Sequence, residues 1–433
     1  MQFQQQGKKN FAKFFDKSVI NSVGKSSGFI IRKPQKITAF GYVAGFIESC
    51  SKGYTTYSSW AEGISNISGK SVSKQAVFER MHEAGVLFAE KIFSIAVNAK
   101  LKAVRDSSLF KSFNQVLLQD STTLSLPDCL AGDFPGNVSK GKQKAVARLQ
   151  CIINIKTMQW LHISLNAFTN NDQSASGIIL PLLKKGDLLI RDLGYFVLDV
   201  LEQVIKSEAF FISRLRYGVT LFDRNGKAIK WKQLCKTASG VIDREVLIGK
   251  RQKIPVRIVM IPLPKTVANQ RIRKARKDRD KRLNHSQDYY VWLWYNVFIT
   301  NIPIEKMDGP AVADAYKIRW QIEILFKSWK SAGNLQQILH EGCTNICRVK
   351  TSIYLLLMFF CIIMEKVYVQ YHKAINVKYN KWLSLFKVFM FTINNLTNLI
   401  SSSAYKLKEL LAKHCCYELR NDRINMTDFI TNF

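Results

Sequence analysis

The stretch YKIRWQIEILFKSWK, residues 316–330, decides how this chain reads. Tyr316, Arg319 and Lys330 stand at −7, −4 and +7 from Glu323. At about 100° per residue all three fall within roughly 40° of Glu323 on one helix. Ile318, Ile322, Leu325, Phe326 and Trp329 gather on an adjacent apolar stripe, the face a globular helix buries. Asp308-Gly309-Pro310 supplies a helix start and Gly333 an end, so the sequence predicts one long helix. Its polar stripe is a carboxylate among two cations and a phenol, a set suited to metal ions and phosphates together. The rival account is a solvated face laced with i,i+4 ion pairs worth about 0.3 kcal/mol each. On that account Glu323–Lys327 is the better-ordered pair and Arg319–Glu323 the poorer.

The remaining composition favours the first account. The 433 residues suffice for two to four domains, and 47% hydrophobic with 12% aromatic content describes a folded protein. Against 64 Lys and Arg stand 32 Asp and Glu, a net charge of +32. Such an excess repels itself unless a polyanion neutralises it, and nucleic acid is the expected partner. A membrane surface ranks lower because the basic residues are spread along the chain. The N-terminus is polar, with no secretory h-region, and the most apolar run, Ile353 to Met364, is too short to span a bilayer. A cytoplasmic location is expected, with the nine scattered cysteines as free thiols; neither Cys343/Cys347 nor Cys415–Cys416 completes a zinc set.

Residues 1–105 read as a helical region that binds DNA. Tyr57 to Ser65, a turn, and a helix from Lys74 to about Glu90 capped by Ser73 resemble a helix-turn-helix presenting Lys74, Gln75, Phe78 and Arg80. Residues 106–207 read as strands: Gln115 to Gln119 ending at Asp120, Ala145 to Ile155, Trp160 to Ala167, and Leu188 to Ile190 ending at Arg191-Asp192, then a helix from Val197 to Ser207. Residues 208–302 read as a separate β-rich insertion, with strands at Phe210–Leu215, Val241–Ile248, Pro255–Ile261 and Tyr290–Thr300 and a hairpin turn at Arg224-Asn-Gly-Lys227. Within it, residues 271–282 carry eight basic residues in twelve, among them Arg273, Lys274, Arg276 and Lys277, expected as an arm against phosphates. Residues 303–375 and 376–433 complete the division, the last as a helical tail suited to dimerisation.

Three carboxylates stand out: Asp120 and Asp192 at strand ends and Glu323 on the downstream helix. A strand end holds a side chain at a sheet edge where ligands approach. Three such groups converging would hold two divalent ions about 4 Å apart. Read singly, each Asp is a turn residue or an ion-pair partner, with Arg191 beside Asp192 as a ready partner.

Asp120 in LLQDST, Asp192 in LLIRDLGYF and Tyr316-x2-Arg319-x3-Glu323-x6-Lys330 together resemble the DDE transposases of the insertion sequence 4 family, the last matching that family's YREK signature. The likeness runs from about Ser73 to Lys366 and includes VANQRIRKARKDRDKR and WLWYNVFITNIP. It implies an α/β chain: an RNase H-like catalytic domain interrupted by a β-rich insertion, with a helical N-terminal DNA-binding region. It implies that Asp120, Asp192 and Glu323 bind two Mg²⁺ ions, Mn²⁺ substituting, and act as the catalytic residues. Nicking at the element's ends, hairpin formation and strand transfer into target DNA would follow. Tyr316 and Arg319 would hold a terminal phosphate and Lys330 DNA near the cut. A flipped base needs an indole, for which Trp292 and Trp294 are both candidates. The partners implied are double-stranded DNA, as terminal inverted repeats and target, and a second copy of the chain in the complex. The setting implied is the bacterial nucleoid. The stretch after Lys366 matches nothing in the family. The rivals are a metal-dependent nuclease of the same fold without strand transfer, and a decayed or domesticated relative that only binds DNA.

Overall fold

The computed structural model describes residues 16–52, 55–98, 108–235, 240–277, 286–331, 344–396 and 406–418. Among the described residues five helices come first: α1 (Lys17–Ser26), α2 (Ala39–Ser51), α3 (Tyr57–Ser68), α4 (Lys74–Phe78) and α5 (Glu83–Val97). Helices α2 and α3 cross with backbones almost touching: a Cβ on Gly63 would lie 2.5 Å from the Gly45 carbonyl oxygen. Only glycine allows that approach. The expected helix from Lys74 to Glu90 is broken. Ser73 caps α4 by accepting from the Ala76 N–H, but the helix stops after five residues and α5 begins anew at Glu83. Buried Gly85, whose Cβ position would lie 2.4 Å from the Arg80 carbonyl oxygen, shows how tightly the chain reverses there.

One mixed sheet organises the rest. Its strands are β1 (Val116–Leu126), β2 (Pro135–Ser139), β3 (Lys142–Asn154), β4 (Gln159–Ala167), β5 (Leu188–Arg191), β6 (Phe210–Arg214), β7 (Leu221–Phe222), β8 (Ala228–Ile229), β9 (Ile242–Ile248), β10 (Ile254–Pro262) and β11 (Tyr295–Thr300). The order is β2-β3-β1-β5-β6-β11-β10-β9-β7-β8, with β4 also on β3. Strand β3 pairs antiparallel with both β1 and β4, whereas β5 runs parallel to β1 and β6 parallel to β5. Alternation along β1 sends Leu118 and Leu124 into one core and Leu117 into another, so both faces of the sheet are covered.

Three sequence expectations change here. Phe210–Arg214 belongs to the parallel part of the sheet rather than to a separate insertion at 208–302, and β9 to β11 extend the same sheet through β11 pairing with β6. β1 does not end at Asp120 but continues to Leu126, because β3 pairs with it over its whole length. The expected strand Tyr290–Thr300 begins only at Tyr295; Ser286 caps a short helix through Trp292 first.

The helices of this half are α6 (Leu198–Lys206), α7 (Trp231–Cys235), α8 (Lys265–Lys277), α9 (Gln287–Trp292), α10 (Gly309–Lys317), α11 (Trp320–Ser331), α12 (Ile346–Ile363), α13 (Gln370–Tyr379), α14 (Leu385–Asn394) and α15 (Leu407–His414). A π-helical turn, Met364–Val369, joins α12 to α13. The combined helix is long and apolar enough to cross a bilayer, unlike the short run read from sequence, but 78% of its apolar window is buried inside the protein. A helix apolar on all sides is what a fully enclosed core position requires. The described part of the 376–433 tail folds back on it, with Phe389 edge-on to Phe360 at 4.9 Å. All eight cysteines among the described residues are free thiols.

Candidate active site

The expected single helix is two. Asp308 caps α10, its carboxylate accepting from the Ala311 N–H at 2.8 Å with Pro310 in the first turn, as the sequence predicts. At Ile318 and Arg319 the bonds tighten to i,i+3, Gln321 N–H to Ile318 and Ile322 N–H to Arg319, and α11 restarts at Trp320. Gly333, expected as the helix end, lies outside the described residues. The bend keeps Tyr316 and Arg319 on the side facing the sheet. Tyr316 donates to Asp192 Oδ1 at 3.4 Å, and Arg319 reaches all three carboxylates.

Arg319 is the hub. Its Nη1 is 3.1 Å from Asp120 Oδ2 and 2.7 Å from Glu323 Oε1, and its Nε lies 3.7 Å from Asp192 Oδ1. Asp120 and Asp192 come from adjacent parallel strands, each one residue past the last β1–β5 pair, Gln119 opposite Arg191. The two Asp residues and Glu323 thus come together although far apart in sequence. Glu323 pairs with Arg319 and not with Lys327, contrary to the better-ordered expectation. Arg319 is held by two other carboxylates and is only 13% exposed, while Lys327 lies over the Phe386 ring at 5.5 Å. A preference of a few tenths of a kcal/mol, about 0.3, is easily overridden by such tertiary contacts.

A cleft of about 480 Å³ opens here, lined by Asp120, Asp192, Arg319, Glu323, Lys327 and Lys330, with Ser121 and Thr122 at its wall. Burial is the main cause of the raised Asp120 pKa, about 7; the Ser121 N–H and Arg319 oppose it, and Asp192 and Glu323 add to it. Burial likewise raises the Tyr316 phenol and lowers the Lys330 ammonium. Burial alone would lower Arg319, but Tyr316 and the three carboxylates together raise it.

Among the described residues no group of three or more Asp, Glu, His or Cys is close enough to share one metal ion. The guanidinium stands between the carboxylates instead. The donor set is nevertheless of the right kind: three carboxylates, all hard oxygen ligands, around an open cleft. Three carboxylates share one guanidinium, so the cluster carries more negative than positive charge even with Arg319 in place. A divalent cation would balance that excess, so the residues fit such an ion in chemistry.

The other expected site residues lie elsewhere. Lys74 and Gln75 are exposed on α4, whereas Arg80 is half-buried and donates to the Ala76 carbonyl at 3.0 Å, capping its own helix. Arg273, Lys274, Arg276 and Lys277 are exposed on α8, with Arg276 over the Tyr290 ring at 5.8 Å; residues 278–282 of the same basic run lie outside the described residues. Arg271 instead turns inward to Asn296 at 2.9 Å. Trp292 packs at 5.9 Å on Tyr289 and 5.6 Å from Tyr217, and Trp294 is 36% exposed. Lys327 was visible in sequence only as an ion-pair partner; its i+4 offset from Glu323 was the signal that places it on the cleft wall.

The family described as "Transposase DDE domain" matches residues 111–358, more than half of the chain. The chain belongs to the transposase DDE-domain family. Its sequence is 28% identical over 319 residues to the transposase for insertion sequence element IS231F of Bacillus thuringiensis subsp. israelensis, covering 68% of this chain and 66% of that protein. It is 26% identical over 353 residues to the transposase for insertion sequence element IS1151 of Clostridium perfringens, covering 76% and 74%. The match to the first relative thus spans slightly less than two thirds of that protein's length. Among solved structures there is a distant likeness to one described as a piggyBac transposase synaptic complex with hairpin DNA: TM-score 0.42, 9% identity, 96% of this chain and 86% of that one. The DDE domain matched in this chain contains Asp120, Asp192, Arg319, Glu323, Lys327 and Lys330, all the charged residues of the cleft.

Proposed function

We propose that this DDE-domain chain is a transposase that cuts DNA at the ends of an insertion sequence and joins those ends to a target. The observation that carries the reading is the meeting of Asp120, Asp192 and Glu323 around Arg319 in an open cleft. Three antiparallel strands followed by two parallel ones, with the two Asp on the central pair, support an RNase H-like catalytic domain.

In this reading Asp120, Asp192 and Glu323 hold two Mg²⁺ ions, or Mn²⁺ in their place. Such a pair, when bound, activates the attacking oxygen and steadies the leaving one. The chain's own residues do the rest. Arg319 and Tyr316, fixed on the carboxylate side of the α10–α11 bend, are placed to hold a phosphate at the cut. Lys330, half-buried at the cleft, contacts DNA near the cut in this reading. The exposed cations of α8 extend the path for phosphates, and Trp294 offers an indole to an extruded base. Hydrolytic nicking, attack of the freed 3′-OH on the opposite strand, reopening of the hairpin and joining to target DNA make up the reaction. A paired complex, with a second copy of the chain bridging two terminal inverted repeats in the bacterial cytoplasm, completes the proposal.

The test uses DNA carrying the inverted repeats that flank the coding region, offered intact and pre-cut. With Mg²⁺, wild-type protein should nick the intact ends and join pre-cut 3′-OH ends to a second DNA. Asp192→Ala should do neither while still binding the ends. Cleavage by Asp192→Ala at the wild-type rate would overturn the assignment, and cleavage without joining would favour the nuclease.

A further inference from the structure

The parallel ladder between β1 and β5 ends at Gln119 and Arg191, one residue before each candidate ligand. Asp120 and Asp192 are therefore not themselves paired through the backbone. On the face of the sheet away from the Asp120 side chain, a chain of hydrogen bonds through side chains and the Tyr195 carbonyl does run between their neighbours. Ser121 Oγ donates to Asp172 Oδ1 at 2.7 Å, and Gln150 Nε2 donates to the same oxygen at 3.3 Å. The Tyr195 hydroxyl donates to Gln150 Oε1. Ser176 Oγ donates to the Tyr195 carbonyl at 2.9 Å and accepts from Arg191 Nη1 at 2.8 Å. Arg148 secures the rim, donating to Asp172 at 2.8 Å and to Ser121 at 3.1 Å.

The network begins at the residue after Asp120 and ends at the residue before Asp192. Gln150, Ser176, Arg191 and Tyr195 are at most 2% exposed, so water does not compete for these bonds. Asp172 also abuts the Asp192 loop directly: a Cβ on Gly194 would lie 2.8 Å from its Oδ2. We propose that Asp172, with Gln150 and Tyr195, is a positioning relay that sets the spacing of Asp120 and Asp192 from behind the sheet. The inference rests on the reading of those two carboxylates as ligands for a divalent ion. Partners behind a ligand shell typically alter metal affinity by about 10–100-fold.

The probe is Mn²⁺ binding to full-length protein, followed by electron paramagnetic resonance, beside melting temperature and DNA-end affinity. Asp172→Asn should raise the Mn²⁺ dissociation constant about tenfold. Gly194→Ala, which pushes the carboxylate with one methyl group, should do the same, and Tyr195→Phe should act in the same direction more weakly. Melting and DNA affinity should stay at wild-type values. Unchanged Mn²⁺ affinity in Asp172→Asn and Gly194→Ala, where Asp120→Ala abolishes binding, would overturn the relay alone. A parallel fall in melting temperature in all three variants would make the network merely structural and also overturn it. A wild-type protein with no Asp120-dependent Mn²⁺ site would remove the ligand reading itself, and the relay with it.

Discussion

The carboxylate cleft and the basic, aromatic lobe around α8 and α9 handle charge in opposite ways. In the cleft, Arg319 is 13% exposed and shared by three carboxylates from three elements, so its positive charge is fully engaged inside the protein. On α8, Arg273, Lys274, Arg276 and Lys277 are exposed and pair with no carboxylate among the described residues. Their charge is left for an outside polyanion. The contrast separates two tasks: the cleft holds fixed geometry, where angstroms matter, and the lobe supplies attraction, where the number of cations matters.

The comparison breaks first at Arg319. Arg319→Ala should slow DNA cleavage about 100-fold, since removing a group fixed at the reacting centre disrupts positioning and charge together. Lys317→Ala, two residues away and paired with Asp314 at 2.6 Å, should stay within about twofold by the same reasoning. Equal losses in a cleavage assay would mean the cleft is not the seat of the chemistry.

Replacing Arg273, Lys274, Arg276 and Lys277 together by alanine tests the lobe. The slope of log binding constant against log salt should flatten by about three to four, each phosphate contact contributing about 0.9. An unchanged slope in a binding titration across salt would show that α8 does not touch DNA.

The burial of Asp120 has its own consequence. Asp120 keeps its proton up to about pH 7 in the fold but loses it near 3.8 when unfolded. The raised folded pKa means that stability from this group falls as pH rises through that window. Asp120→Asn should therefore raise the melting temperature of metal-free protein, with a gain that grows from about pH 4 to pH 7 and then levels. The ceiling is about 4 kcal/mol at 1.36 kcal/mol per unit, less whatever the lost Arg319 contact costs. A gain that is flat with pH would show that Asp120 is ionised throughout.

The smallest effect separates the two indoles. Trp292→Ala should lower the melting temperature by a few degrees, because that ring packs on Tyr289 and Tyr217. Trp294→Ala should leave melting unchanged within about a degree and lower the yield of hairpin product. The reverse pattern would reassign the exposed aromatic role.

The sequence alone was enough to place Glu323 and Lys330 on one side of α11, because side-chain direction along a helix is a local property with a known period, whereas Tyr316 and Arg319 reach that side through the bend before it. It also located Asp308 as a cap and most strands by their apolar runs, since hydrogen bonding of a turn and burial of a strand face are encoded within a few residues. What it could not give was the break at Ile318 and Arg319, the continuation of β1 past Asp120, or the membership of Phe210–Arg214 in the parallel sheet. Each is decided by a partner distant in the chain: the carboxylates that Arg319 meets, the β3 strand beside β1, the β5 strand beside β6. The Asp172 relay was equally hidden. Its members become neighbours only when β1, β3 and the segment after β5 lie side by side, and no local spacing records a contact between residues 51 positions apart.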